Sequence, residues 1–319
     1  MKKQNIFAVG IDIGGTNIKI GVVSTDGVII KSNSFPTGKK RKEILQDIKN
    51  SVKRLLEESR IDFSKIAGIG ADTPGLADSK GYVVTGAYNI PEWNGTDLGD
   101  FLRKTFKLPV KVENDVTALT LGESLFGNAK PFSNFISLAF GTGLGGGVII
   151  DNKIYRGRDG YAAEFGHMVV DSSPNAAKCT CGGRGCLEAY ASAVGIKRII
   201  LETLKNYKYR TLLNEDSTPA DLYNLAKKKE TLSLSIVKFI GEKIGAGIAS
   251  LVNIFNPEAV LLGGGIVNAG NIFFKSFMPS YKKHVLKFYN SNKVKFIKPK
   301  LGSEGGIVGA AGLILQDYL

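Results

Sequence analysis

Phe7-Ala8-Val9-Gly10-Ile11-Asp12-Ile13-Gly14-Gly15-Thr16-Asn17-Ile18-Lys19-Ile20-Gly21-Val22-Val23 is the stretch on which the reading of this chain turns. Its apolar alternation predicts a strand over Phe7 to Ile11, a tight glycine turn, and a returning strand over Ile18 to Val23. Backbone N–H groups of Gly14, Gly15 and Thr16 can point into one concavity and bind phosphate oxygens, with Asn17 and Lys19 at the exit. Asp12, at the end of the first strand, can hold the hydrated Mg²⁺ that accompanies ATP, because Mg²⁺ keeps several waters and needs few protein ligands. The plainer alternative is a hairpin turn closed by an Asx hydrogen bond.

The same pattern recurs. Gly15 to Val23 can be laid without a gap over Gly141-Thr142-Gly143-Leu144-Gly145-Gly146-Gly147-Val148-Ile149, which also follows an apolar run. A repeated strand, Gly-Thr turn and returning strand suggests two similar lobes, each with one phosphate-holding turn. Neither turn is a Walker A loop or a dinucleotide fingerprint, since no G-x-x-x-x-G-K-[ST] occurs and the second turn leads into a strand and not a helix. That argues against a dehydrogenase, and the missing H-R-D set argues against a protein kinase.

Further strands are expected at Val28 to Ser34, Ile66 to Ala71, Val110 to Val112, Phe135 to Ala139, Gly146 to Ile150 and Ala259 to Leu262. Helical faces alternate with them: Ile44, Leu45, Ile48, Val52, Leu55 and Leu56 in one, and Ile236, Ile240, Ile244, Ile248, Leu251, Val252 and Phe255 in another, stopped at Asn256-Pro257. The order describes an α/β fold with a mainly parallel sheet, preceded by an antiparallel meander. At 319 residues, about two domains are expected.

Composition is that of a globular protein, with 43% hydrophobic and 22% charged residues. The most apolar stretch, Phe135 to Ile150, is too short to span a membrane and is broken by Thr142 and five glycines. Met1-Lys2-Lys3-Gln4-Asn5 does not lead into a signal-peptide pattern, so a cytoplasmic protein without membrane partners is expected. The net charge of +13 is the unusual feature. From Asn271 to Lys300 eight lysines and no acids are interleaved with Phe273, Phe274, Phe277, Tyr281, Phe288, Tyr289 and Phe296, a pattern that could suit a nucleic-acid groove. No nucleic-acid-binding motif accompanies it, and the expectation is aromatics in a core under a solvated lysine face, with no nucleic-acid partner. His284 is expected at the surface.

Two more segments carry chemistry. Val112-Glu113-Asn114-Asp115 reads as a short strand ending in polar residues before a helical run from Val116 to Phe126. Asn114 and Asp115 suit a helix N-cap; a carboxylate in that place can also accept a proton from a hydroxyl that attacks phosphorus. Glu164-Phe165-Gly166-His167 is followed by Cys179-Thr180-Cys181-Gly182-Gly183-Arg184-Gly185-Cys186-Leu187-Glu188, which holds the only three cysteines of the chain. His167, Cys179, Cys181 and Cys186 make a Cys₃His set suited to a closed structural Zn²⁺ site, with surface thiols or a redox site as the alternative.

Taken together, Asp12 to Lys19, Glu113-Asn114-Asp115, Glu164 to His167 and the Cys179 to Glu188 run resemble the ROK family of bacterial sugar kinases and repressors. The resemblance implies an actin-like, ribonuclease H-type two-lobe fold with ATP and sugar in the cleft. Residues 1–116, completed by a C-terminal helix at about 305–319, would form the small lobe; residues 117–304 would form the large lobe with the zinc loop. It implies Asp115 as catalytic base, with the sugar bound by Glu164, His167 and Glu188 together with Asn114, Asn89 and the backbone of Gly75. His167 would ligate Zn²⁺ through one ring nitrogen and meet the sugar through the other. Gly263-Gly264-Gly265 would lie under the nucleotide, Gly141-Thr142-Gly143 would hold phosphate, and a homodimer is implied.

The implied reaction is ATP-dependent phosphorylation of a hexose at its 6-hydroxyl. Asn89-Ile90-Pro91-Glu92-Trp93-Asn94-Gly95 resembles the glucokinases of the family more than its N-acetylmannosamine kinases, so glucose comes first, ahead of fructose, mannose, allose, N-acetylmannosamine and N-acetylglucosamine. A sugar-responsive repressor would need a helix-turn-helix ahead of the first turn, and eleven residues precede Asp12. Two features depart from the family pattern. Asp72, in Ala71-Asp72-Thr73-Pro74-Gly75, stands where a small or neutral residue is more usual, with a turn cap as its plain reading. The basic charge raises polyphosphate as a donor in place of ATP.

Overall fold

The structure, a computed structural model, describes residues 6–87, 89–290 and 294–319. The N-terminal pentapeptide and the side chain of Tyr289 discussed above lie outside the described residues. Contacts divide the chain into two compact units. The first comprises residues up to Ser133, with Gly147–Ala162 and Pro299–Leu319; the second comprises Asn134–Gly146 and Ala163–Lys298.

In the first unit the opening stretch is a hairpin of β1 (Phe7–Ile13) and β2 (Asn17–Ser24), extended by β3 (Ile29–Pro36). Helix α1 (Arg41–Ser59) then leads to β4 (Ile66–Thr73). Three short strands follow, β5 (Leu76–Ala77), β6 (Tyr82–Thr85) and β7 (Thr96–Asp97), which form a small sheet of their own. Helix α2 (Leu98–Phe106), β8 (Val110–Asn114) and α3 (Asp115–Phe126) come next. The main sheet has the order β3-β2-β1-β4-β8, antiparallel through β1 and parallel from β1 to β8. It is the expected meander followed by parallel strands.

Period-two alternation divides the faces of this sheet. Val9, Ile11, Ile13, Ile18, Ile20 and Val22 form a core with Ile44, Ile48, Val52 and Leu55 of α1. The opposite face carries glycine where β1 and β4 lie side by side, and there the last helix, α9 (Gly305–Leu315), beds directly on the sheet. A Cβ on Gly10 would sit 2.0 Å from the Ile307 carbonyl oxygen, and one on Gly70 would sit 1.7 Å from that of Ala310. These glycines serve close packing of a helix backbone, a use that their position inside strands did not disclose.

The second five-stranded sheet, of order β11-β10-β9-β12-β13, comprises β9 (Phe135–Phe140), β10 (Leu144–Ile150), β11 (Lys153–Ile154), β12 (Ala259–Gly264) and β13 (Lys295–Ile297). It repeats the first: β10 and β11 are antiparallel, and β9, β12 and β13 are parallel. The duplicated Gly-Thr hairpin therefore marks a duplicated sheet order. In the second unit the helices are α4 (Glu188–Ala191), α5 (Ala193–Asn206), α6 (Pro219–Lys227), α7 (Thr231–Phe255) and α8 (Asn271–His284). Helix α7 buries Ile236, Ile240, Ile244, Ile248, Leu251 and Val252, and ends at Asn256 in the left-handed region before Pro257.

Phe273, Phe277 and Tyr281 of the basic segment are buried, and Phe277 and Tyr281 pack against Phe296. Phe274 and Phe296 are half-buried against them, and Phe288 is exposed. His284 is exposed at the end of α8. Among the described residues no helix is long and apolar enough to cross a membrane.

Candidate functional site

The first unit gathers its polar residues at the carboxyl ends of parallel strands, where an open α/β sheet leaves room for a ligand. Register places Asp12 of β1 beside Asp72 of β4, and Asp72 beside Glu113 of β8. Strand alternation puts Asp12, Asp72 and Lys19 on the face that carries α9. Lys19 donates from Nζ to the Ser303 carbonyl at 2.7 Å and lies 3.8 Å from Asp12 Oδ2. Burial raises the pKa of Asp12, against the opposing pull of the Lys19 charge.

Gly14, Gly15 and Thr16 form the turn between β1 and β2, closed by the Gly14 N–H donating to the Asn17 carbonyl at 3.1 Å. Gly15, Thr16 and Asn17 are exposed. A Cβ on Gly15 would meet Cβ of Asn89 at 3.0 Å, so the turn and Asn89 are neighbours. Gly14 and Gly15 are absent from the left-handed region; what calls for glycine here is close approach. Asp12 and this turn supply hard oxygen and backbone N–H groups, a donor set that fits Mg²⁺ and phosphate.

Asn114 and Asp115 stand where β8 passes into α3. Asn114 Oδ1 accepts the N–H groups of Val116 and Thr117, which is the cap expected of it, and its Nδ2 donates to the Gly75 carbonyl at 3.1 Å. Gly75 has φ of 81°, and a Cβ there would strike the Thr85 carbonyl oxygen at 2.3 Å, so only glycine fits. Asp115 is exposed, with Oδ1 accepting the Val116 N–H at 2.8 Å. The buried Glu113 bonds through Oε1 to the Asn114 N–H and through Oε2 to Arg156 Nε at 2.6 Å; burial raises its pKa and the Arg156 charge lowers it. Arg156 carried no signal in sequence, because it is separated from Glu113 by 43 residues.

In the second unit His167, Cys179, Cys181 and Cys186 converge, their donor atoms all within 4.8 Å of one another. His167 Nδ1 is 3.6 Å from Cys179 Sγ, and the Cys181 and Cys186 sulfurs are 3.8 Å apart. Edges of this size match a tetrahedron with metal–sulfur bonds of about 2.3 Å. Burial, then contacts with the neighbouring thiols, pushes the Cys186 pKa up to about 12, whereas the Gly183 N–H holds Cys181 below its usual value. Such thiols ionise when a metal replaces their protons.

The other ring nitrogen of His167 faces Glu164 Oε2 at 3.8 Å. Burial raises the Glu164 pKa, opposed by His167 and supported by the nearby charge of Glu188. Glu188 Oε1 accepts the Thr180 hydroxyl at 2.8 Å, and Oε2 accepts the Leu144 N–H at 2.9 Å, directly after Gly141-Thr142-Gly143. Gly263 and Gly264 close β12, with Gly264 paired to Phe140 and at φ of 99°; Gly265 faces open space. The structure thus brings the expected residues of this unit, Gly141 to Gly143, Gly263 to Gly265, Glu164, His167, Glu188 and the cysteines, into two adjoining groups joined by Glu188.

Similarity to known proteins runs the length of this arrangement. A sequence model of the ROK family matches residues 8–317. A glucokinase from Thermotoga maritima is 34% identical over 316 residues, 97% of each chain. The structure of a ROK family glucokinase from Streptomyces griseus in complex with glucose and AMPPNP is similar with a TM-score of 0.78 at 30% identity, covering 97% of this chain and 99% of that one. A xylose repressor from Caldicellulosiruptor bescii is 30% identical over 319 residues, 98% of this chain and 78% of that protein. With the repeated sheet order, the strand-tip acids and the converging Cys₃His set, a match from β1 to the end of α9 leaves one assignment: the chain belongs to the ROK family.

Proposed function

We propose that this protein is an ATP:hexose 6-phosphotransferase with glucose as its preferred sugar. The observation that carries the reading is Asp115, an exposed carboxylate on the first residue of α3, fixed by its own bond to the Val116 N–H. It stands in a chain similar to a glucokinase over 97% of that protein's length. Asp115 takes the proton of the sugar 6-hydroxyl as that oxygen bonds to the γ-phosphorus and the bond to the β-phosphate oxygen breaks, releasing ADP.

The turn of Gly14, Gly15 and Thr16, with Asn17 and Lys19, and the turn of Gly141, Thr142 and Gly143 hold the phosphates, the N–H groups of Gly14 and Gly141 closing the turns onto Asn17 and Gly143; Gly263, Gly264 and Gly265 lie under the nucleotide. Mg²⁺, held with ATP at Asp12, would supply charge neutralisation at the transferring group. Glu164, His167, Glu188, Asn114, Asn89 and the backbone of Gly75 bind sugar hydroxyls. Zn²⁺ at His167, Cys179, Cys181 and Cys186 would fix the orientation of the His167 ring. Asn89 favours a hydroxyl over an acetamide, which places glucose ahead of the N-acetylated sugars. A cytoplasmic homodimer completes the reading.

The test is a coupled ADP-release screen over hexoses and N-acetylhexosamines, repeated with polyphosphate as donor. Glucose with ATP is expected to give the highest kcat/KM. Absence of phosphorylation of any hexose, together with a salt-sensitive shift of DNA at nanomolar protein, would replace the kinase by a repressor.

A further inference from the structure

Two buried acids of the first unit, Glu113 and Glu123, have both carboxylate oxygens bonded, and Asp72 does not. Glu113 is paired with Arg156, and Glu123 takes the N–H groups of Asn128, Lys300 and Leu301. Asp72 is 0% exposed. Its Oδ1 accepts the Ile13 N–H of the neighbouring strand at 3.3 Å, directly ahead of the phosphate-type turn, where a cap on its own turn was expected. Its Oδ2 is buried with no hydrogen-bond partner. A buried acceptor in that state keeps its desolvation cost uncompensated unless something occupies it.

The neighbouring acid is Asp12, whose carboxyl meets that of Asp72. Asp12 lies beside Asp72 in the strand register and on the same face of the sheet. Lys19 lies 3.8 Å from Asp12 Oδ2 and donates to the Ser303 carbonyl. The start of α9 also abuts Asp12, where a Cβ on Gly306 would come within 2.4 Å of the carboxylate. Among the described residues no basic side chain bonds to Asp72.

We propose that Asp12 and Asp72 together form a divalent-cation site that takes Mg²⁺ or Mn²⁺ before any nucleotide binds. One carboxylate is enough for an ion carried in by ATP, which brings most of its own ligands. A second on the adjacent strand gives the protein an oxygen pair of its own. The ion at Asp72 Oδ2 satisfies the orphaned acceptor and offsets the repulsion between the acids. The site is the magnesium site of the proposed kinase with one more ligand, and so rests on that reading.

The test needs no turnover. Free Mn²⁺ is followed by electron paramagnetic resonance as it is titrated into the zinc-loaded full chain, with neither sugar nor nucleotide. Mn²⁺ does not compete for the thiolate set, whose ligands are soft. The expected result is one bound Mn²⁺ per chain, displaced by Mg²⁺, with affinity weakened at least tenfold in Asp72→Asn and in Asp12→Asn, both checked for fold by circular dichroism. Wild-type protein that binds no Mn²⁺ below millimolar concentration overturns the proposal and leaves the pair bridged by a proton. Unchanged affinity in Asp72→Asn overturns it as well, and should that variant not fold, unchanged affinity in Asp12→Asn does the same. An ion-binding protein without kinase activity would sink the proposed function alone; an active kinase without nucleotide-free Mn²⁺ would sink this proposal alone.

Discussion

Glu188 accepts the backbone N–H of Leu144 at 2.9 Å, and so ties the cysteine-rich loop to the strand that leaves the second Gly-Thr turn. The fit is close, since a Cβ on Gly143 would come within 2.7 Å of Glu188 Oε2. Glutamine at this position can keep the tie, because its amide oxygen can face Leu144 while its NH₂ donates to the Thr180 oxygen. What it loses is acceptor capacity and charge toward a sugar hydroxyl. Glu188→Gln is therefore expected to raise the glucose KM at least tenfold while the ATP KM stays within about twofold. Glu188→Ala should raise both. Steady-state kinetics with each substrate varied in turn separates the two, and equal effects of Gln on both constants would remove Glu188 from the sugar site.

Asp115→Asn preserves the bond to the Val116 N–H, because the amide oxygen can accept it as the carboxylate does. The fold should survive, and only the proton acceptor is lost. The expected drop in kcat is about 10²–10⁴-fold, the usual contribution of a general base. Glucose binding measured by calorimetry should remain near the wild-type value. A near-normal kcat would assign the base elsewhere.

The thiol cluster predicts a metal content. Purified chain should carry about one zinc, as a closed Cys₃His site does. Cys186→Ser removes a ligand that is buried and, without metal, held protonated by its surroundings. Mass spectrometry of the metal should then show loss of zinc, with a lower thermal midpoint and a raised glucose KM through the freed His167 ring. Full activity after complete removal of zinc would make the cluster dispensable for sugar binding.

Elements with a strong local pattern were legible in the sequence. The alternation of Val9, Ile11 and Ile13 identified a strand, and the run from Ile236 to Val252 identified a helix face, because each follows from a period that sequence displays. Cys179, Cys181 and Cys186 lie close along the chain, so their convergence with His167 could be anticipated from spacing. Long-range relations were not legible in the same way. Asp72 looked like a turn cap, and its burial beside Asp12 depends on the register of two strands 60 residues apart. Strands β5 and β7 are two residues long, too short for any period to register. Glu123 sits inside α3, and nothing local reveals that it closes the backbone at Lys300 and Leu301.

The glycine bed under α9 gives a stability prediction. Adding one methyl at Gly70 places it 1.7 Å from a helix carbonyl oxygen and 2.5 Å from the carbonyl carbon of Ala310, so the whole helix must move. Gly70→Ala is expected to cost more than the ~1–3 kcal/mol typical of an overpacked side chain, since backbone cannot rotate away. Gly265→Ala meets nothing within 4 Å and serves as a control, with stability close to wild type. Urea unfolding of the three proteins decides the matter, and equal midpoints would mean that α9 does not rest on the sheet as described.

Asp171 supplies a pH dependence with a definite sign. Its Oδ2 receives Lys243 Nζ and the Tyr190 hydroxyl, each at 2.8 Å, and Oδ1 receives the Ser173 N–H at 3.0 Å. Lys243 first, then the Ser173 bonds and Tyr190, hold the carboxyl well below the usual aspartate range. A folded pKa below the unfolded value of about 3.9 means that the unfolded chain binds this proton more readily. The stabilisation is complete above about pH 4 and is lost as pH falls from there through the folded value. Asp171→Asn should therefore be less stable than wild type at pH 7, and the gap in urea midpoint should narrow as both are taken from pH 5 to pH 3. A gap that stays constant over that interval would show that the carboxylate charge contributes nothing to holding α7 through Lys243.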